Sequence, residues 1–298
     1  MAARRGSSTR SNLAARLGWM WVPVLAYPRL FIAAVFFVLV VGGGTYKIWK
    51  TVGPHVVQSP EYWLTPEKIH LNEPRQWITA ADVKAQAVRD ATLDEPLSIL
   101  DENLNERIQR AFAAHPWVER VESVEKFHPA RVEVRLVYRQ PAAAVAVDST
   151  LLPVDGKGIL LPVEDFSRSE LSKLPRISRI TSRPLARAGN PWNDPRVHGA
   201  AMIAATFGED WNELGLDEIL PADRPEPGQV DLYQYELRSK AGTRIPWGRQ
   251  SLAARPGEPS AEDKVLRLRK YAERYGSIDV SGRSAQLPNL EAVAPALR

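Results

Sequence analysis

The chain contains no cysteine. That excludes thiol catalysis, a disulfide scaffold and cysteine-ligated zinc or iron–sulfur centres. Histidine is scarce as well. The five stand at 55, 70, 115, 128 and 198, and none is spaced from another as metal ligands on one helix are. His115 and His128 each precede a proline at a turn, which suits a structural role. No G-x-S-x-G elbow presents a nucleophilic serine. Gly156-Lys157-Gly158 is too short for a phosphate loop and lies in a hairpin pattern, not between a strand and a helix. The acidic pairs Asp94-Glu95 and Asp101-Glu102 stand at helix starts, where they complement the helix dipole; a glycosidase pair is the competing reading. The expectation is a protein that is not an enzyme, with no catalytic residue, no cofactor, no metal site and no small-molecule substrate.

Acid is missing from the first fifty residues. They carry Arg4, Arg5, Arg10, Arg16, Arg29, Lys47 and Lys50. The rest of the chain therefore holds 32 basic against 35 acidic groups, although the whole chain is at +4. The basic pI belongs to the N-terminal region, and the remainder lacks the positive excess that phosphate binding needs. Nucleic acid is not an expected partner.

Long charge-free apolar runs are also few. The one that dominates is Leu30 to Tyr46, with Phe31, Ile32, Phe36, Phe37, Val38, Leu39, Val40 and Val41. As a helix it covers about 25 Å, the short end of what a bilayer core requires. Trp19, Trp21 and Tyr27 before it suit a membrane–water interface. Five arginines precede the run and two lysines follow it. By the positive-inside rule the N-terminus is cytoplasmic and the bulk of the chain lies outside. A cleaved signal peptide is the alternative. It requires a short leader, whereas 29 residues precede the apolar core here, and Gly42–Gly44 imitate a cleavage site.

Residues 1–28 read as a basic tail, 29–48 as the span, and 49–67, with four scattered Gly and Pro positions, as a linker. A unit over 68–140 follows, in the order strand, helix, helix, strand, strand. Ile69–Leu71 is the first strand. Thr79 or Asp82 caps a helix carrying Val83, Ala87 and Val88. Leu104, Ile108 and Phe112 fall four apart on a second helix, which His115-Pro116 ends. Val118–Phe127 and residues 131–138 read as strands. The latter alternates Val132, Val134, Leu136 and Tyr138 against Arg131, Glu133 and Arg135.

From Pro141 to about residue 284 the pattern is strand-rich. Ala142–Val147 and Leu151–Val154 lead to a tight turn at Asp155-Gly156, with Gly158–Pro162 returning. Residues 174–180 read as a strand, 196–207 as a helix and Trp211–Leu220 as a second short helix. Asp231–Arg238 and Thr243–Trp247 read as strands joined at Ala241-Gly242. Residues 261–275 are amphipathic, with Val265, Leu268, Tyr271 and Tyr275 on one stripe. Ser277–Val280 is a final strand, and 285–298 a flexible tail. Six tryptophans follow the span region; most suit core and turn packing, with Trp192 the candidate for an exposed partner surface. The fold class is α+β: one transmembrane helix and two small domains.

Five features in this order resemble the FtsQ/DivIB cell-division family. They are the basic tail with one span; the strand-helix-helix opening; His115-Pro116-Trp117-Val118 with a strand and Pro129; Arg139-Gln140-Pro141 leading to Val154-Asp155-Gly156-Lys157-Gly158; and Gly242-x-x-Ile245-Pro246-Trp247-Gly248, then Lys264, a helix and Ile278-Asp279-Val280. The resemblance covers roughly residues 10 to 282. Ser281 replaces the arginine that usually ends the last motif, the opening strand lacks the usual V-x-G, Tyr138 stands where glutamate is common, and one extra residue before Pro129 suggests a bulge.

The resemblance implies that 68–140 is a POTRA domain and 141–284 a β-rich FtsQ-type domain. It also implies a non-enzymatic, single-pass inner-membrane scaffold at the division septum. Its partners would be small bitopic coiled-coil proteins of the FtsB and FtsL type, and it would link them to septal peptidoglycan synthesis. The segment Ser277, Ile278, Asp279, Val280 and Ser281, with the neighbouring helix, would meet a partner strand. The rival readings are a POTRA-bearing export or outer-membrane assembly factor and an envelope enzyme.

Overall fold

A backbone in hydrocarbon must satisfy its own polar groups, and the apolar stretch does so as one helix, α1 (Pro28–Val57). The computed structural model describes residues 28–57, 59–73, 83–93, 95, 97–250, 258–278 and 290. The chain divides into two units, Met1–Trp63 and Leu64–Arg298. In the first, the 24 residues Arg29–Val52 are long and apolar enough to cross a membrane, and none of them is buried in the protein. A core helix would hide such residues; here Leu30 is 68% and Phe37 67% exposed. Thr45 and Thr51 turn their hydroxyls back onto the carbonyls of Val41 and Lys47 at 2.8 and 3.0 Å, so the helix surface carries no unbonded hydroxyl there. The helix runs to Val57, past the linker expected from residue 49.

The second unit holds a three-stranded and a six-stranded sheet, each over its own hydrophobic cluster. The first lobe has β1 (Ile69–Leu71), α2 (Val83–Asp90), α3 (Leu104–Ala113), β2 (Val118–Phe127) and β3 (Arg131–Tyr138). The sheet order is β1-β3-β2, with β1 parallel and β2 antiparallel to β3. The alternation read from the sequence sets the faces: Val132, Val134, Leu136 and Tyr138 are buried against Leu104, Ile108 and Phe112. Two register shifts break the β2–β3 ladder, at Val118/Arg120 and Val121/Ser123, so β2 is bulged as its extra residue suggests. β1 is short, and the Asn72 amide extends it. Its Oδ1 accepts the Leu136 N–H at 2.8 Å and its Nδ2 donates to the Leu136 carbonyl at 3.0 Å. The proposed caps Thr79 and Asp82 lie outside the described residues.

The second lobe comprises β4 (Pro141–Val147), β5 (Thr150–Asp155), α4 (Arg168–Leu171), β6 (Arg176–Ile177), α5 (Pro195–Phe207), α6 (Asp210–Glu213), β7 (Leu216–Pro221), β8 (Tyr235–Ser239), β9 (Arg244–Gly248) and α7 (Ala261–Tyr275). Its six strands run β9-β8-β7-β6-β4-β5. One row crosses five of them in register, Val145, Ile177, Ile219, Leu237 and Ile245, each 0% exposed. These residues share a core with α5 and α7. The adjacent row, on the opposite face, reads Ala144, Arg176, Glu218, Arg238 and Arg244. Glu218 is 5% exposed and lies 3.0 Å from Arg176 and 2.6 Å from Arg238, its partners in the two neighbouring strands.

Several boundaries differ from the sequence reading. The helix expected over Trp211–Leu220 is only α6. Gly215 at φ 68° ends it, and Leu216–Pro221 becomes a central strand. The strand expected over 174–180 shrinks to Arg176–Ile177. The strand expected from Asp231 starts at Tyr235. The Gly158–Pro162 return makes only the bridges Val154–Leu160 and Ile159–Pro191. Ser277 and Ile278 lie in no strand, and Asp279, Val280 and Ser281 lie outside the described residues. In the tail expected to be flexible, Leu290 is 1% exposed and belongs to the second core.

Candidate functional site

The sequence singles out helix α7 and the segment Ser277–Ser281 after it for a partner, and α7 is bonded to edge strand β9. Ser260 starts α7, its hydroxyl accepting the Asp263 N–H at 3.1 Å. Ala261, Val265 and Leu268 then face the core. Lys264 points inward with them and is 2% exposed. A lysine is tolerated there because each bond of its ammonium is directed. It donates to the Trp247 carbonyl at 2.8 Å, pairs with Glu258 and sits 5.2 Å from the Trp247 ring centre. Lys264 therefore pins edge strand to helix.

Among the described residues no strand pairs with the outer side of β9. Pro246 at its centre has no N–H, and the Trp247 carbonyl is already engaged. Such an edge is a poor template for direct strand addition. After α7, Gly276 at φ 77° reverses the chain, as a left-handed C-terminal glycine does. Ile278 then drops to 1% exposure in the same core as Ile245 and Trp247, while Ser277 stays exposed. Of the proposed contact residues, the described part thus divides into one anchor and one surface residue.

The motifs between the lobes meet at a second place. Trp117 is 0% exposed. Its carbonyl accepts the Arg139 N–H at 2.9 Å, and its indole N–H donates to Asp165 Oδ2 at 2.6 Å. Its amide N–H donates to His115 Nδ1 at 3.2 Å. Arg139 reaches Asp155 at 2.8 Å, and Asp155 also accepts the amides of Lys157 and Ile159. Lys157 pairs with Glu119 at 2.8 Å. Leu161 is buried in the first lobe's core and Phe166 packs against it, so the segment after the hairpin clasps the first lobe. A cleft of about 500 Å³ lies beside this joint, lined among others by Glu119, Tyr138, Lys157, Lys173 and Ala205. Its charged walls include the Glu119–Lys157 ion pair.

Trp192 is not the exposed anchor suggested by its loop. It is 2% exposed and donates to Ser182 Oγ at 3.1 Å; Ser182 in turn donates to Asp194 Oδ2 at 2.6 Å. Burial pushes the Asp194 carboxyl up, and the bonds from Arg196 and Ser182 outweigh it, holding it below the usual carboxylate range. A carboxylate so held is a poor base for Ser182, and it serves as the N-cap of α5. The nearest histidine in the sequence, His198, has its Nδ1 2.9 Å from the Lys157 carbonyl. Arg176 pairs with Asp217 and Glu218, and Arg183 with Asp148. Among the described residues no group of three His, Asp or Glu converges as metal ligands would.

Sequence reasoning missed Leu290, Asp165 and the Glu218 ladder. Asp165 lies in a short 3-10 turn with no periodic signal, and Leu290 is one of several apolar residues among 285–298, with nothing in the pattern to single it out. No model of a known protein family and no curated protein sequence matches the chain.

Proposed function

We propose that the chain is a non-enzymatic, single-pass membrane scaffold of the cell-division machinery, of the FtsQ/DivIB kind. In this reading α1 spans the inner membrane with the N-terminus cytoplasmic, the first lobe is a POTRA domain, and the second is the β-rich partner-binding domain. The observation that supports it most is convergence. Residues of three separate motifs, His115-Pro116-Trp117, Arg139-Gln140-Pro141 and Val154-Asp155-Gly156-Lys157-Gly158, meet in one bonded joint. A fourth, Trp247 with Lys264, ties edge strand to helix. Residues that carry the resemblance are also those that hold the lobes together, which is what a shared architecture requires.

The scaffold recruits small bitopic coiled-coil proteins through the segment that follows Gly276 and links them to septal wall synthesis. Depletion of the protein followed by microscopy tests this: filaments of unseparated cells support it, and normal division refutes it. A fluorescent fusion gathered at the septum separates it from an export or outer-membrane assembly factor, for which label is uniform around the envelope. Val280→Pro is expected to abolish capture of a small bitopic division partner while the first lobe stays folded.

A further inference from the structure

His115 lies at the end of α3, 5% exposed, between two hydrogen-bonding groups of opposite kind. Its Nε2 is 3.0 Å from Gln86 Oε1, and its Nδ1 receives the Trp117 amide N–H at 3.2 Å. A backbone N–H can only donate, so Nδ1 carries no proton and the imidazole is neutral with Nε2–H donating to Gln86 Oε1. The same Trp117 carries the indole bond to Asp165 of the second lobe. One imidazole thus positions the residue on which the joint between the lobes turns.

We propose that His115 is an acid-sensitive latch on this joint: the neutral ring holds Trp117 against Asp165, and the protonated ring releases it. A proton added at Nδ1 sets two donors face to face, and Trp117 at 0% exposure has no water with which to replace the lost acceptor. The charged groups acting on the ring are Asp90 of α2 and Asp165 of the second lobe; Gln86 is neutral. Burial pushes the imidazole below its ordinary value, and the two carboxylates oppose this more weakly. A histidine depressed in the folded state stabilises fully above its unfolded value of 6.5 and loses that contribution as pH falls toward the folded one. The latch therefore opens on acidification. It rests on the joint alone and is independent of the division reading.

Hydrogen exchange on the full chain in nanodiscs tests it. Between pH 7.5 and 5.0 the protection factors of the amides around Trp117 are expected to fall about tenfold, after correction for intrinsic rates. In His115→Asn the side-chain oxygen replaces Nδ1 as acceptor without titrating, and the fall is expected to vanish. An equal fall in the variant, or none in the wild type, overturns the proposal. Should the variant not fold, NMR titration of the wild-type imidazole decides. Trp117 amide and indole signals moving in step with His115 support the latch; signals that stay fixed through its titration refute it.

Discussion

Lys264 donates its ammonium to the main-chain oxygen of Trp247 at 2.8 Å, from a position 2% exposed to solvent. One charged side chain thus joins a helix to the last strand of a sheet. Replacing it with methionine keeps the volume and removes the ammonium that bonds both Glu258 and the Trp247 carbonyl. Loss of one partner from a buried pair costs roughly 3–5 kcal/mol. Urea denaturation of Lys264→Met is expected to lose most of that amount, and a change below about 1 kcal/mol would show the pin to be dispensable.

Gly199 lies on α5 directly beneath Tyr235. A Cβ there would meet the Tyr235 hydroxyl oxygen at 2.1 Å and the ring Cζ at 2.7 Å. Alanine is normally worth about 1 kcal/mol over glycine inside a helix. Here the clash wins, and Gly199→Ala is expected to destabilise by about 1–3 kcal/mol. Tyr235→Phe removes the nearest atom, so the double variant is expected to recover part of the loss in a thermodynamic cycle.

Asp194 sets an acid limb on stability. Its carboxyl is depressed below the ordinary value of 3.8, the bonds from Arg196 and Ser182 outweighing burial. A depressed acid contributes fully above that value and loses its contribution as pH falls through the folded one. Thermal midpoints recorded from pH 5 down to pH 2 are expected to drop less steeply in Asp194→Asn than in the wild type. Equal slopes would assign the acid limb to other carboxylates.

Leu290 is an anchor near the C-terminus, 1% exposed in the second core. Leu290→Ala is expected to cost about 2–4 kcal/mol, as a core leucine does. A chain ended before it should show a similar loss. If both variants melt with the wild type, the tail does not belong to the folded core.

The first lobe was legible because its patterns are one-sided. Residues 131–138 alternate since one face of β3 is buried, and Leu104, Ile108 and Phe112 repeat at helical spacing. Strand β7 failed for the converse reason. Leu216, Glu218, Ile219 and Leu220 are all buried, so LDEILP shows no alternation, and Gly215 is the one break that separates it from the helical turn before it. At the joint, the participating motif residues could be named but not their contacts, because Trp117 and Asp165 lie 48 positions apart. The proposed partner segment was half legible. Ile278 reads as part of a strand, yet what fixes it is burial after the turn at Gly276.

The two rows that cross the large sheet act together as an error check on its assembly. With Val145, Ile177, Ile219, Leu237 and Ile245 aligned, five apolar side chains enter the core at once. A slip of one residue in any strand exchanges such a side chain for its neighbour, which in the central strands is Arg176, Glu218 or Arg238. A slip in β6, β7 or β8 thus puts a charge into the core or parts an arginine from Glu218. Wrong registers of these strands therefore carry a free-energy cost that the native register does not.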